Sequence, residues 1–171
     1  SQSHHANTEL VQELTENTVT GGVAMINHAL AEMWQETDDI LMHDWYLALL
    51  ASAFGNLVFI DQPGELYRQH SDNVLGARTL SKRFKKWIRP HILFAVYWDL
   101  IKNSQKQASH LLQMPLSQSN RELIEAFVTI MDKSMLGRFR ILRKYGLRKN
   151  KAFHTLVFTT LIVTKFAYKK E

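Results

Sequence analysis

Apolar positions recur at helical spacing through the second half of the chain and break into short runs in the first. Residues 1–16 are polar, with one weak helical stripe at Leu10, Val11 and Leu14. Residues 19–26 put β-branched and apolar residues around Gly21-Gly22, a strand-like run in which the glycines let another backbone or a ligand come close. Asn27 is suited to cap a short helix over 28–34. After the acidic loop 36–39, Trp45, Ala48 and Leu49 predict a helix over 44–54, stopped by Gly55. Residues 56–60 read as a short strand, 61–64 (Asp-Gln-Pro-Gly) as a turn, and 65–70 as a second short strand.

Three longer helices follow. The first spans about 80–105, with Phe84, Trp87, Ile88, Ile92, Ala95, Trp98 and Ile101 in period and a kink or restart at Pro90. The second opens on the capping-box pattern Ser119-Asn120-Arg121-Glu122 and runs to a stop at Gly146. The third spans about 151–168, where Val157, Thr159, Thr160, Ile162, Val163 and Thr164 favour a helix less strongly. The predicted fold is therefore mainly α with a small β component (α+β), the β part drawn from residues 17–27 and 56–70.

Charge divides the chain at the same place as the pattern. Residues 1–77 hold one cation, Arg68, against 11 acids; residues 78–171 hold 20 cations against 5 acids. The halves thus carry about −10 and +15, which predicts two regions, 1–77 and 78–171, facing different surroundings. With 46% hydrophobic and 22% charged residues, wholesale disorder is excluded. The absence of cysteine excludes a disulfide scaffold, a thiolate metal site and a cysteine nucleophile. The longest apolar run, 152–164, is too short to span a bilayer. A start without Met or a signal-like segment predicts a piece of a longer chain.

Reactive residue types gather in two places, His43-Asp44-Trp45 and residues 67–73. Asp44 falls at a predicted helix start, where a carboxylate is favoured electrostatically. It either caps that helix or accepts a proton from an attacking hydroxyl. His70 is a metal ligand, a proton carrier or a structural histidine. Arg68 balances Glu65 or Asp72, or it faces an anion.

In order and spacing, Asn17-Thr18-Val19-Thr20-Gly21-Gly22, His43-Asp44-Trp45, Val58-Phe59-Ile60-Asp61 and Tyr67-Arg68-Gln69-His70 with Asn73 and Gly76 resemble family 2 glycosyltransferases. The nearest likeness is to bacterial enzymes of rhamnosyltransferase type that build surface polysaccharides, over residues 15–78. The resemblance implies a GT-A scaffold and inverting transfer of a sugar from a nucleotide-sugar to a hydroxyl of a saccharide or polyprenyl-linked acceptor. It implies Asp44 as the base, and Thr20, Gly21, Gly22, His43, Trp45 and Arg68 around donor and acceptor. It also implies that His70 reaches the donor diphosphate or a divalent metal, Mg or Mn.

Such enzymes hold the metal through an Asp-x-Asp motif behind a nucleotide-binding half. This sequence has neither, and the adjacent Asp38-Asp39 do not substitute. The expectation is an acceptor-side, C-terminal portion over residues 1–77, followed by a basic helical region. Alone it would be inactive and hold no metal. Lys82, Arg83, Phe84, Lys85, Lys86 and Trp87 have the composition of an interfacial helix, which predicts a peripheral place on an anionic membrane, at its cytoplasmic face. Two non-enzymatic readings compete: a membrane-surface module, and a nucleic-acid binder. The second is disfavoured because no nucleic-acid-reading motif accompanies the charge.

Overall fold

The computed structural model describes residues 6–34, 40, 42–62 and 90–169, with the side chains of 90–93 left aside. Its elements in chain order are α1 (Leu10–Glu13), a 3-10 turn (Gly21–Val23), α2 (His28–Glu32), α3 (His43–Phe54), α4 (Pro90–Leu111), α5 (Gln118–Val128), a second 3-10 turn (Ile130–Asp132), α6 (Met135–Tyr145) and α7 (Ala152–Thr164).

The expected β component is not there: among the described residues there is no strand, and the fold is all-helical. Residues 56–60 form no regular element and no strand ladder, and Val58, Phe59 and Ile60 stand largely exposed. Gly21–Val23 curls into the 3-10 turn, its Val23 N–H donating to Thr20 O at 3.1 Å. β-branched residues favour a pleated surface only where a neighbouring strand completes the ladder. The run expected at 65–70 lies outside the described residues.

Local signals set several helix ends as expected. Asn27 Oδ1 accepts from Leu30 N at 2.9 Å and starts α2. Gly146 ends α6 in the left-handed region at φ 67°. The helix expected over 119–146 is broken in two. It starts two residues early on Ser117, whose Oγ accepts from Asn120 N at 3.3 Å, and restarts on Ser134, which accepts from Gly137 N at 3.2 Å. The break lets α6 fold back beside α7. The first long helix, described from Pro90, extends past the expected end to Leu111. Residues 80–89 lie outside the described set. α7 is helical despite its β-branched content because Phe158, Leu161 and Ile162 are buried, and tertiary packing outweighs propensity.

Tyr46, Leu49 and Leu50 of α3 share one core with Leu14, Ile101 and Leu111, and with Ile124, Phe127, Phe158 and Ile162. Hydrogen bonds tie the acidic half to the basic half. Ser104 Oγ donates to Leu14 O at 2.6 Å, Asn120 Nδ2 to Ala53 O at 2.8 Å, and Thr15 Oγ1 to Arg148 O at 2.7 Å. This packing brings the segment before α3 against α4 and α7 and so creates a cleft. Among the described residues no helix is long and apolar enough to cross a membrane.

Candidate functional site

α3 begins without a capping side chain, because Met42 occupies the N-cap position. Two residues on, Asp44 supplies the carboxylate. Its Oδ1 accepts from Trp45 N at 2.7 Å, and its Oδ2 accepts from Gly21 N at 3.3 Å. Asn17 Nδ2 approaches Oδ1 at 3.5 Å and holds its own turn through Val19. Asp44 therefore does serve the helix start. It also clamps the 3-10 turn across a sequence separation of 23 residues. With 9% of its surface exposed, it stands at the edge of a cleft of about 480 Å³. That volume lies within the usual range for small-molecule sites.

Gly21 lies against the His43 imidazole: a Cβ there would stand 2.6 Å from His43 Nε2, so a larger residue would have to push that side chain aside. The sequence-predicted residues Thr20, Asp44 and Trp45 all line the cleft. Gly21 and His43 flank it as a contacting pair, and Gly22 is exposed on the turn. Trp45 is mostly a core residue, its indole N–H donating to Glu13 O at 2.8 Å. Arg68, His70, Lys82, Arg83, Phe84, Lys85, Lys86 and Trp87 lie outside the described residues.

The lining residues from the basic half carry no local signal in the sequence. α4 contributes Tyr97 and Leu100, the α6–α7 loop Lys149, and α7 His154. The Tyr97 hydroxyl is hydrogen-bonded to His154 Nδ1. Burial pushes the Tyr97 phenol up, and the charge of Glu16 adds to that. Lys149 Nζ donates to Thr15 O and lies 5.5 Å from the centre of the Phe158 ring. Burial lowers the pKa of Lys149, and the nearby Glu16 carboxylate partly offsets the shift. Glu16 itself lines the cleft, its Oε2 accepting from Asn150 N at 2.9 Å. The cleft thus gathers a carboxylate with hydroxyl, imidazole and ammonium groups.

Behind Asp44 lies a second unforeseen group. Glu13 is fully buried, and its Oε2 has no hydrogen-bond partner. Burial raises its pKa from the ordinary 4.5 to about 7; the Asp44 charge adds to the rise, while hydrogen bonds from Asn7 and Thr18 oppose it. Its only sequence signal is an acid set between the apolar positions Leu10 and Leu14. Among the described residues no three His, Asp or Glu side chains converge as metal ligands, and His70, which the resemblance places near a divalent metal, lies outside them. No family model matches the chain, and neither a curated protein nor a solved structure matches it.

Proposed function

We propose that this chain is the acceptor-side portion of an inverting glycosyltransferase, with Asp44 as its general base. The observation that carries the reading is the clamp between Asp44 and the Gly21 amide. It joins two of the stretches that resemble family 2 enzymes at the edge of one cleft. The acceptor lies in the cleft with its nucleophilic hydroxyl toward Asp44. That oxygen attacks the anomeric carbon of the sugar, and its proton passes to the Asp44 carboxylate. The carbon–oxygen bond to the nucleoside diphosphate breaks, the diphosphate leaves with the bonding pair, and the configuration inverts. Backbone N–H groups from two segments hold the carboxylate, so it needs little reorganisation when the proton arrives. Tyr97, His154 and Lys149 line the same cleft and offer polar groups to the hydroxyls of the acceptor.

The nucleotide-sugar, and any divalent metal, belong to a nucleotide-binding half that this sequence does not contain. The chain alone therefore binds acceptor and turns nothing over. Rhamnose is the donor sugar the resemblance points to, in the synthesis of a bacterial surface polysaccharide at the cytoplasmic face of the membrane. The test is a titration of the chain with saccharides, followed by NMR. The expected result is saturable shifts at Asn17, Thr20, Trp45, Tyr97 and His154. Unchanged spectra across rhamnose-, glucose- and N-acetylhexosamine-containing oligosaccharides would remove the reading.

A further inference from the structure

Outside the cleft, the outer side of the α6–α7 hairpin combines exposed apolar residues with unbroken positive charge. On α6, Leu136 is 57% and Phe139 46% exposed; on α7, Phe153 is 56% and Leu156 65% exposed. Spacings of three and four residues put Phe153, Leu156, Thr160 and Val163 on one side of α7. Val163 closes a groove with Met135, Leu136 and Phe139, so the apolar surface runs from one helix onto the other. Arg138 fixes the pair, its Nε and Nη2 donating to Val163 O at 3.1 and 2.6 Å. Residues 133–170 contain 11 Lys and Arg and no Asp or Glu. Arg140, Arg143 and Lys151 stand exposed beside the apolar side chains. An apolar patch of this kind needs a partner.

We propose that this face of the α6–α7 hairpin docks on an anionic lipid bilayer. Phe139, Phe153 and Leu156 enter the headgroup layer, and Arg140, Arg143 and Lys151 meet lipid phosphates. Charge decides the partner, since a wholly cationic surround with an apolar centre matches an anionic interface. The inference rests on the membrane location proposed above only in its choice of partner, and it moves the contact to residues distinct from Lys82, Arg83, Lys85 and Lys86. The same helix turns His154 inward to the cleft, so a lipid-linked acceptor would meet the site one helix-width from the bilayer.

The experiment is co-sedimentation of the chain with vesicles of phosphatidylcholine, with and without 30% phosphatidylglycerol. Binding is expected only with the anionic lipid and should fall with salt. Neutralising Arg140 and Arg143 to Gln should lower it by about 30-fold, and Phe139→Ser with Leu156→Ser by more than about tenfold. These side chains are exposed, and circular dichroism checks that the variants remain helical. Because the chain has no cysteine, Leu156→Cys carries a single environment-sensitive dye, which brominated lipids should quench.

Several outcomes would overturn the inference. If the hairpin variants bind unchanged while neutralising Lys82, Arg83, Lys85 and Lys86 abolishes binding, the membrane location stands but this face is not the contact. Equal binding to neutral vesicles, no binding to either, or self-association that buries the Leu156 label without lipid would each overturn it too. None of these results bears on Asp44 as a base.

Discussion

Replacing Glu13 by Gln removes a charge from the core while keeping shape, and its effect on stability should depend on pH. Glu13 is fully buried with one oxygen unpartnered, and its pKa rises from 4.5 to about 7 on folding. One pKa unit corresponds to about 1.4 kcal/mol, so this rise corresponds to about 3 kcal/mol. Between pH 4.5 and 7 the folded chain holds a proton that the unfolded chain has lost, so stability falls as pH rises. The contribution is fully present below pH 4.5 and is lost as pH passes through about 7. Glu13→Gln has no such loss. It should match the parent protein near pH 4.5 and exceed it by about 3 kcal/mol at pH 8. Urea unfolding followed by the fluorescence of the buried Trp45 and Trp98 measures both values. The quantity to read is the difference between variant and parent, in which contributions from other groups cancel. A difference that does not change with pH, or a variant less stable at pH 8, would refute the reasoning.

Gly21→Ala should push the imidazole of His43 aside at a cost under about 1 kcal/mol, because a side chain rather than backbone must move. The His43 ring resonances should shift, and adding His43→Ala should cancel the effect of the alanine on its surroundings. Phe127→Ala should lower stability by about 3–5 kcal/mol in urea unfolding, since Phe127 is almost wholly buried in the shared core. Tyr97→Phe should weaken saccharide binding in the NMR titration, while the loss of its hydrogen bond to His154 costs about 1 kcal/mol of stability.

Features set by neighbouring residues were legible in the sequence. Asn27 at the start of α2, Gly55 after α3 and Gly146 after α6 act within one turn of chain, and each stands where its chemistry placed it. The strand expected over 56–60 does not form because Val58, Phe59 and Ile60 carry strand propensity but no partner strand, and pairing is not a local property. The break at residues 129–134 was missed because apolar spacing continues across it, while Ser134 quietly offers a second cap.

The site divides in the same way. Thr20 and Asp44, which line the cleft, stand in stretches that the family resemblance singles out. Tyr97, Lys149 and His154 reach the cleft from three elements of the basic half, which no local pattern reports. Glu13 was passed over because burial, and not residue type, gives it its character.

On the proposed reading, the most direct measurement is the sugar-transfer rate, parent against Asp44→Asn, of this segment joined to a nucleotide-binding half. The amide keeps the size of the side chain but cannot take the proton, and its single oxygen can accept from only one of the Trp45 and Gly21 N–H sites. The turnover number should fall by about 10²- to 10⁴-fold with little change in acceptor KM. Turnover close to that of the parent enzyme would mean that Asp44 is only part of the helix start and that the base lies elsewhere.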